Sequence, residues 1–158
     1  MAKILILYYS RTGNTKAMAE RVAAGAESSG ADVELKAVAD TKVEDLLDAD
    51  AIIMGSPTYY GTMAAEIKKL LDDSVSHHGK LDGKVGGAFS SSANIGGGNE
   101  TTILDILKAM LIHGMVIKGD PKGDHYGPVA IGSPDKRSTD QCKRYGRDIA
   151  ELAARLTG

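Results

Sequence analysis

The sequence has almost no cysteine and few large aromatic rings. Its 158 residues include one cysteine, one phenylalanine and no tryptophan. A lone Cys142 cannot form a disulfide within the chain or build a cysteine metal cluster. The four histidines (His77, His78, His113 and His125) have no ligand-type partner at helical spacing. We therefore expect no metal site.

Long apolar runs and a charge imbalance are missing as well. No segment approaches the ~20 consecutive apolar residues that span a bilayer. The first apolar run covers only Ile4–Tyr9 before Arg11, which is too short for a secretory signal, so we expect a cytoplasmic protein. Lysine and arginine number 19 and acidic residues 21, a net charge of −2 without a basic cluster. We expect neither nucleic acid nor a membrane as a partner.

The chain does contain a regular alternation of strand and helix patterns, and its length fits one domain, residues 1–158. Continuous apolar strands are typical of a parallel sheet covered on both faces, whereas Asp32–Ala37 alternates with charge, as an edge strand does. We predict an α/β fold with a doubly wound, five-stranded parallel sheet flanked by helices on both faces. The remaining predicted strands are Lys3–Tyr9, Ala51–Gly55, Val85–Ser90 and a fifth in two pieces, Met115–Ile117 and Val129–Ile131.

Three helix starts can be predicted, one from apolar periodicity and two from capping residues. The first helix should run from Asn14 to about Ser28 because its apolar residues recur every four positions. The spacing of Thr41 and Glu44 predicts a capping box that opens a short helix. Ser133 and Pro134 are expected as the cap and first position of the last helix.

Ligands of doubly wound sheets bind beyond the carboxyl ends of the strands, which points to loops 10–15, 56–61, 90–98 and 119–127. The first loop combines three hydroxyls, an amide and a glycine before a helix. Unpaired N–H groups and the helix dipole at such a position favour a phosphate. A hydroxyl-rich N-cap without a ligand is the alternative. The residues of this loop are Ser10, Arg11, Thr12, Gly13, Asn14 and Thr15.

Other phosphate-binding patterns are missing. The chain has no G-x-x-x-x-G-K-[ST] and no G-x-G-x-x-G after the first strand, which disfavours a Walker-type triphosphatase and a dinucleotide Rossmann domain. The first strand ends in Tyr8, Tyr9 and Ser10 without aspartate, which disfavours a phosphoacceptor. A cysteine-based phosphatase is excluded because the loop has no cysteine.

Three loops resemble those that bind flavin mononucleotide (FMN) in flavodoxins, and the similarity extends along nearly the whole chain. Loop 10–15 resembles the phosphate loop, while loops 56–61 and 90–98 resemble the two loops that hold the ring. The resemblance implies a flavodoxin-like sheet of order 2-1-3-4-5. Within the superfamily, segments 4–10, 96–101 and 113–117 look closest to the tryptophan-repressor-binding-protein type of NAD(P)H:quinone oxidoreductase.

The resemblance also implies how the ring loops act. Tyr59 and Tyr60 can stack on the flavin, although packing within the loop explains them equally well. A peptide carbonyl in the Tyr60–Gly61 region is expected to accept a hydrogen bond from flavin N5–H, and the amides of loop 90–98 to face the ring oxygens. Besides loop 10–15, the expected FMN-binding residues in these loops are Pro57, Thr58, Tyr59, Tyr60, Gly61, Ser90, Ser91, Ser92, Ala93, Asn94, Gly96 and Gly97.

Three further residues are candidates for cofactor contact. His113 ends the fourth helix, where its protonated ring would complement the helix dipole; the resemblance to the quinone reductases instead implies a place beside the flavin. His125 and Tyr126 lie in the fourth loop and are expected to border the ring.

Two functional classes remain, an electron carrier between redox proteins and an enzyme that oxidises NAD(P)H and reduces quinones. Short segments at 37–51 and 118–127 favour the carrier, because the quinone reductases resembled here have longer ones. The mild net charge and the loop residues favour the enzyme. A flavin-free adaptor is a third possibility that the intact phosphate loop argues against. We expect the carrier, as a monomer or dimer, with no catalytic side chain of its own.

Overall fold

The computed structural model describes residues 1–158, in which six strands alternate with five α-helices. No helix combines the length and the apolar character needed to cross a membrane. The strands are β1 (Lys3–Tyr8), β2 (Asp32–Ala37), β3 (Ala51–Pro57), β4 (Val85–Ser92), β5 (Val116–Ile117) and β6 (Val129–Ile131). The helices are α1 (Asn14–Glu27), α2 (Asp45–Asp48), α3 (Ala65–Asp73), α4 (Asn99–Ile112) and α5 (Lys136–Thr157).

All strand pairs are parallel, and the sheet order is β2-β1-β3-β4 with β5 and β6 both on β4. β5 pairs with Val85 and Gly86 at the start of β4, and β6 pairs with Ser90–Ser92 at its end. The two short strands thus form one interrupted fifth strand, as predicted, and the order 2-1-3-4-5 is confirmed. Strand order reverses between β1 and β3, which opens a crevice at their carboxyl ends.

The core consists of two layers of 18 buried residues, one on each face of the sheet. Ile4 and Ile6 of β1 pack in the layer under α1 and α5, and Leu5 and Leu7 pack in the layer under α3 and α4. Side chains alternate between the faces of a strand, so a continuous apolar run fills both layers. The prediction of a sheet covered on both faces is confirmed.

Two predicted helix starts are wrong by a few residues. α2 begins at Asp45, whose carboxylate accepts the Lys42 N–H at 2.9 Å, while the Thr41 hydroxyl donates to the Ala37 carbonyl. α5 is capped by Asp135 rather than by Ser133 and Pro134. At α5 the Asp135 side chain accepts the Ser138 N–H and so caps the helix in place of Ser133. No side chain caps α2.

Candidate functional site

Three of the four predicted loops meet at the carboxyl ends of β1, β3 and β4, around a cavity of about 240 Å³. The cavity lies at the sheet crevice, beside the amino terminus of α1, and most of its lining residues are polar. The lining residues are Ser10, Arg11, Thr12, Asn14, Thr15, Pro57, Thr58, Tyr59, Ser91, Ser92, Ala93 and Gly132.

The loop before α1 leaves backbone N–H groups available to a ligand. Gly13 is the N-cap with a φ of 97°, a left-handed conformation that favours glycine, and no side chain caps the helix. The Gly13 N–H itself donates to Ser10 Oγ at 3.1 Å. A helix leaves its first four N–H groups without intrahelical partners. In this 14-residue helix those amides lie at the end beside the cavity. This arrangement fits a phosphate dianion better than a self-contained N-cap.

Hydroxyl groups of the three loops are linked to one another behind the cavity. Thr15 Oγ1 lies 2.9 Å from Ser91 Oγ, and both residues are buried. The Thr58 N–H donates to the Ser91 carbonyl at 2.8 Å, and Thr58 Oγ1 lies 3.1 Å from Ser90 Oγ. Because each contact joins segments far apart in sequence, the end of β4 fixes the other two loops in place.

The two adjacent tyrosines of the second loop take different positions. Tyr59 lines the cavity, with its ring edge-on to Tyr9 at a centroid distance of 6.2 Å. The exposed Arg11 guanidinium lies over the Tyr59 ring, 4.9 Å from its centroid. Tyr60 points into solvent, fully exposed. The structure therefore supplies one aromatic surface at the cavity, and the Tyr59 ring is also packed within the loop region. Stacking of Tyr59 on a flavin stays a prediction.

Tyr60 and Gly61 form the tip of a tight turn beside the cavity. The Tyr59 N–H donates to the Thr62 carbonyl at 2.8 Å, and the Thr62 N–H donates back at 3.2 Å. Tyr60 has a φ of 48° and Gly61 a φ of 82°, the positive values of the two central residues in a type I′ turn. The Gly61 carbonyl accepts a hydrogen bond from Thr101 Oγ1 at 2.8 Å.

The residues Asn94, Gly96 and Gly97 form an exposed turn next to the cavity. The Gly97 N–H donates to the Asn94 carbonyl at 3.1 Å, and Gly96 has a φ of 67°. Asn99, the first residue of α4, donates to Ser92 Oγ at 3.0 Å and joins this turn to β4. The three predicted residues thus lie at the rim, whereas Ala93 lines the cavity itself.

His113 is not brought to the cavity. It follows α4, whose 14 residues lead away from the cavity over ~20 Å. The ring is buried, with Nε2 2.8 Å from Ser74 Oγ. Burial, and secondly the charge of His78, lower the His113 pKa, which disfavours the protonated ring that would complement the helix dipole. In this chain the ring makes a core hydrogen bond and does not line the cavity.

His125 and Tyr126 are not among the lining residues either. Their loop is attached to α5, where Asp124 pairs with Arg137 at 2.9 Å. His125 Nδ1 lies 2.7 Å from the Asp120 carbonyl. The segment that does reach the cavity is Gly132, directly after β6. Sequence reasoning missed this residue because a glycine after a short strand has no distinctive pattern.

Comparisons with known proteins agree with this geometry. Residues 5–97 match the model of the flavodoxin domain. A flavodoxin of Aquifex aeolicus is 42% identical over 163 aligned positions, covering 98% of this chain and 88% of the relative. An NAD(P)H dehydrogenase (quinone) of Sinorhizobium fredii is 39% identical over 197 positions, covering 99% of each chain.

Among solved structures, a flavodoxin from the domain Archaea superimposes with a TM-score of 0.82 at 34% identity. That match covers 96% of this chain and 99% of the archaeal one. The domain model spans more than half of the chain, and the relatives cover nearly all of it. The chain belongs to the flavodoxin family.

Proposed function

We propose that this protein binds FMN without a covalent bond and carries electrons between redox proteins, with residues 1–158 acting as one unit in the cytoplasm. The observation that carries the proposal is the loop before α1. Its first-turn amides have no capping side chain, and the hydroxyl-bearing residues Thr12 and Thr15 line the same cavity. A phosphate monoester is the ligand group that such amides and hydroxyls bind best.

The other cavity walls fit the rest of FMN. Tyr59 offers a flat surface for the ring, and the backbone of Ser92–Ala93 offers polar groups at its edge. Bound FMN supplies the redox chemistry, since it takes up and releases one or two electrons. The chain holds the phosphate, orients the ring and sets the polarity around it. No cluster of histidine, cysteine or acidic side chains suited to a metal is present.

Chain length supports the carrier over the quinone reductase. Alignment with the Aquifex flavodoxin needs 163 positions, close to the 158 residues of this chain. Alignment with the Sinorhizobium quinone dehydrogenase needs 197 positions. The longer relative therefore has segments that this chain lacks. Extra segments are the natural source of a pocket for NAD(P)H and quinone, because those substrates need surface beyond the FMN cavity.

Reduction of quinones by NAD(P)H is the second candidate function. Its support is the 39% identity to the Sinorhizobium quinone dehydrogenase over nearly the whole of both chains. The mild net charge of −2 is also compatible with this second function. A carrier that docks to charged redox partners gains from a strong electrostatic field, which this chain does not have.

A reductive titration and a turnover assay together separate the two functions. The FMN-loaded protein is reduced stepwise under anaerobic conditions and followed by visible absorption, and separately mixed with NADH or NADPH and a benzoquinone. The carrier proposal expects two resolved one-electron steps and negligible quinone turnover. A single two-electron step together with rapid NAD(P)H-dependent turnover would establish the enzyme instead.

A further inference from the structure

The first two turns of α4 hold the turn formed by residues 59–62. Thr101 Oγ1 donates to the Gly61 carbonyl at 2.8 Å, and the Thr62 hydroxyl donates to Asp105 Oδ2 at 2.6 Å. Thr101 and Asp105 are four positions apart and so lie on the same side of the helix. The turn is thus bonded to α4 at two neighbouring residues, about forty positions away in sequence.

The backbones of the two segments also touch. A methyl group added to Gly98 would lie 3.1 Å from Gly61 Cα and 3.3 Å from Thr58 Cγ2. Thr102 Oγ1, from the same helical turn, lies 3.0 Å from Thr58 Oγ1. Van der Waals contact and hydrogen bonds therefore act together to hold loop 58–62 against the start of α4.

This support matters because the turn is strained. Tyr60 is the only non-glycine residue with a positive φ, 48°, and its side chain is fully exposed, so its own packing cannot hold this conformation. A left-handed non-glycine residue is strained and persists only when its surroundings impose this conformation. Asp105 is itself fixed by Lys108, whose Nζ lies 2.8 Å from Oδ1.

The direction of the Gly61 carbonyl depends on Thr101 in particular. The Thr101 hydroxyl is the hydrogen-bond partner of this oxygen. The same hydroxyl also lies 2.8 Å from the Gly98 carbonyl, which already accepts the Thr102 N–H at 2.9 Å. A threonine hydroxyl has one hydrogen to donate. The Thr101 hydroxyl can therefore donate to the Gly61 carbonyl, or to the Gly98 carbonyl when the Gly61 oxygen points elsewhere.

We infer that Thr101 is a positioning residue that holds the Gly61 carbonyl to α4 and thereby competes with any N–H that bound FMN presents to this oxygen. The inference rests on the proposed function only for its redox consequence. FMN gains an N–H donor when it is reduced, so the reduced cofactor competes with Thr101 and the oxidised cofactor does not.

The test uses Thr101→Val, which keeps the size and removes the hydroxyl, with Thr101→Ser as the conservative variant that restores it. Thr157→Val is a matched control, because its hydroxyl donates to Ala153 in the last turn of α5. Amide hydrogen exchange at Tyr59 and Thr62, whose N–H groups are the bonded ones of the turn, is measured in the FMN-free protein. The potential of the first reduction step is measured in the FMN-loaded protein.

We expect faster exchange at both amides in Thr101→Val alone. The same variant should favour binding of reduced over oxidised FMN by roughly three- to tenfold, as expected for one hydrogen bond, and so raise the first potential by up to ~59 mV. Thr101→Ser should match the wild type. The inference would be overturned if amide exchange were unchanged in Thr101→Val, or if Thr101→Ser behaved like Thr101→Val.

The outcomes also separate this inference from the proposed function. If exchange changes but the protein takes up no FMN, Thr101 positions the turn and the proposed function fails. If FMN binds and exchange is unchanged, the proposed function stands and the role of Thr101 is refuted. Changed exchange with an unchanged potential refutes the competition for the Gly61 oxygen.

Discussion

Replacing Thr12 and Thr15 by valine separates phosphate binding from folding, because the two residues have different surroundings. Thr15 is 1% exposed, and its hydroxyl lies 2.9 Å from Ser91 Oγ. Thr15→Val leaves the buried Ser91 hydroxyl without this partner, which costs about 1–3 kcal/mol of unfolding free energy. Thr12 is exposed, so Thr12→Val should change stability by less than ~0.5 kcal/mol.

Both substitutions should weaken FMN while leaving riboflavin nearly unaffected. Each removes a hydroxyl that we propose donates to the phosphate, and a hydrogen bond to a charged group is worth about 1.5–3 kcal/mol. The expected loss is therefore roughly ten- to hundredfold in Kd for FMN. Riboflavin has no phosphate and makes neither contact.

The assay combines urea unfolding of the FMN-free variants with fluorescence titration of both flavins. Thr12→Val is the decisive variant because its binding effect is free of a stability effect. Equal losses of affinity for FMN and riboflavin in Thr12→Val, or no loss for FMN, would refute the placement of the phosphate in loop 10–15.

Three other measurements test the fold and its titrations. Gly146→Ala should lower the unfolding free energy by about 1–3 kcal/mol in urea, because the added methyl would meet the Val22 carbonyl oxygen at the α1–α5 crossing; a more stable variant, as helix propensity alone predicts, would contradict this packing. Asp135→Ala should lower the Tm because it removes the cap of α5, whereas Ser133→Ala should not, and the opposite result would restore the cap predicted from sequence. Burial and His78 lower the His113 pKa, so the folded protein binds this proton less readily than the unfolded chain. The contribution of His113 to the unfolding free energy is therefore present above pH ~6.5 and declines as the pH falls below that value. An NMR titration that finds the His113 pKa at or above its ordinary value would contradict this.

The sheet could be predicted from sequence because its signals are local and repeated. Apolar runs such as Ile4–Leu7 can be buried only in a strand covered on both faces, and the structure places alternate residues in the two core layers. The interrupted fifth strand was also predictable, since Val129–Ile131 is apolar and flanked by loop residues. Helix starts were less certain because Ser133 and Asp135 are both good N-caps.

The candidate site was predictable only where one loop carries its own pattern. Loop 10–15 needs no distant partner to be identified, as hydroxyls and a glycine before a helix already indicate anion binding. Thr101 could not be identified in this way, because its contact with Gly61 joins segments forty residues apart. The position of His113 was missed for a related reason. Its partner Ser74 comes from another helix region, and burial by that neighbour overrides the local dipole argument.

The proposed function depends on amides and hydroxyls at the start of α1 that bind the phosphate of FMN. Parallel calorimetric titrations of the FMN-free protein with FMN and with riboflavin test it most directly. We predict uptake of one FMN per chain with an affinity at least ~100-fold above that for riboflavin, since several charge-assisted hydrogen bonds of about 1.5–3 kcal/mol each are at stake. Equal affinities for the two flavins, or a protein that binds neither, would contradict the account.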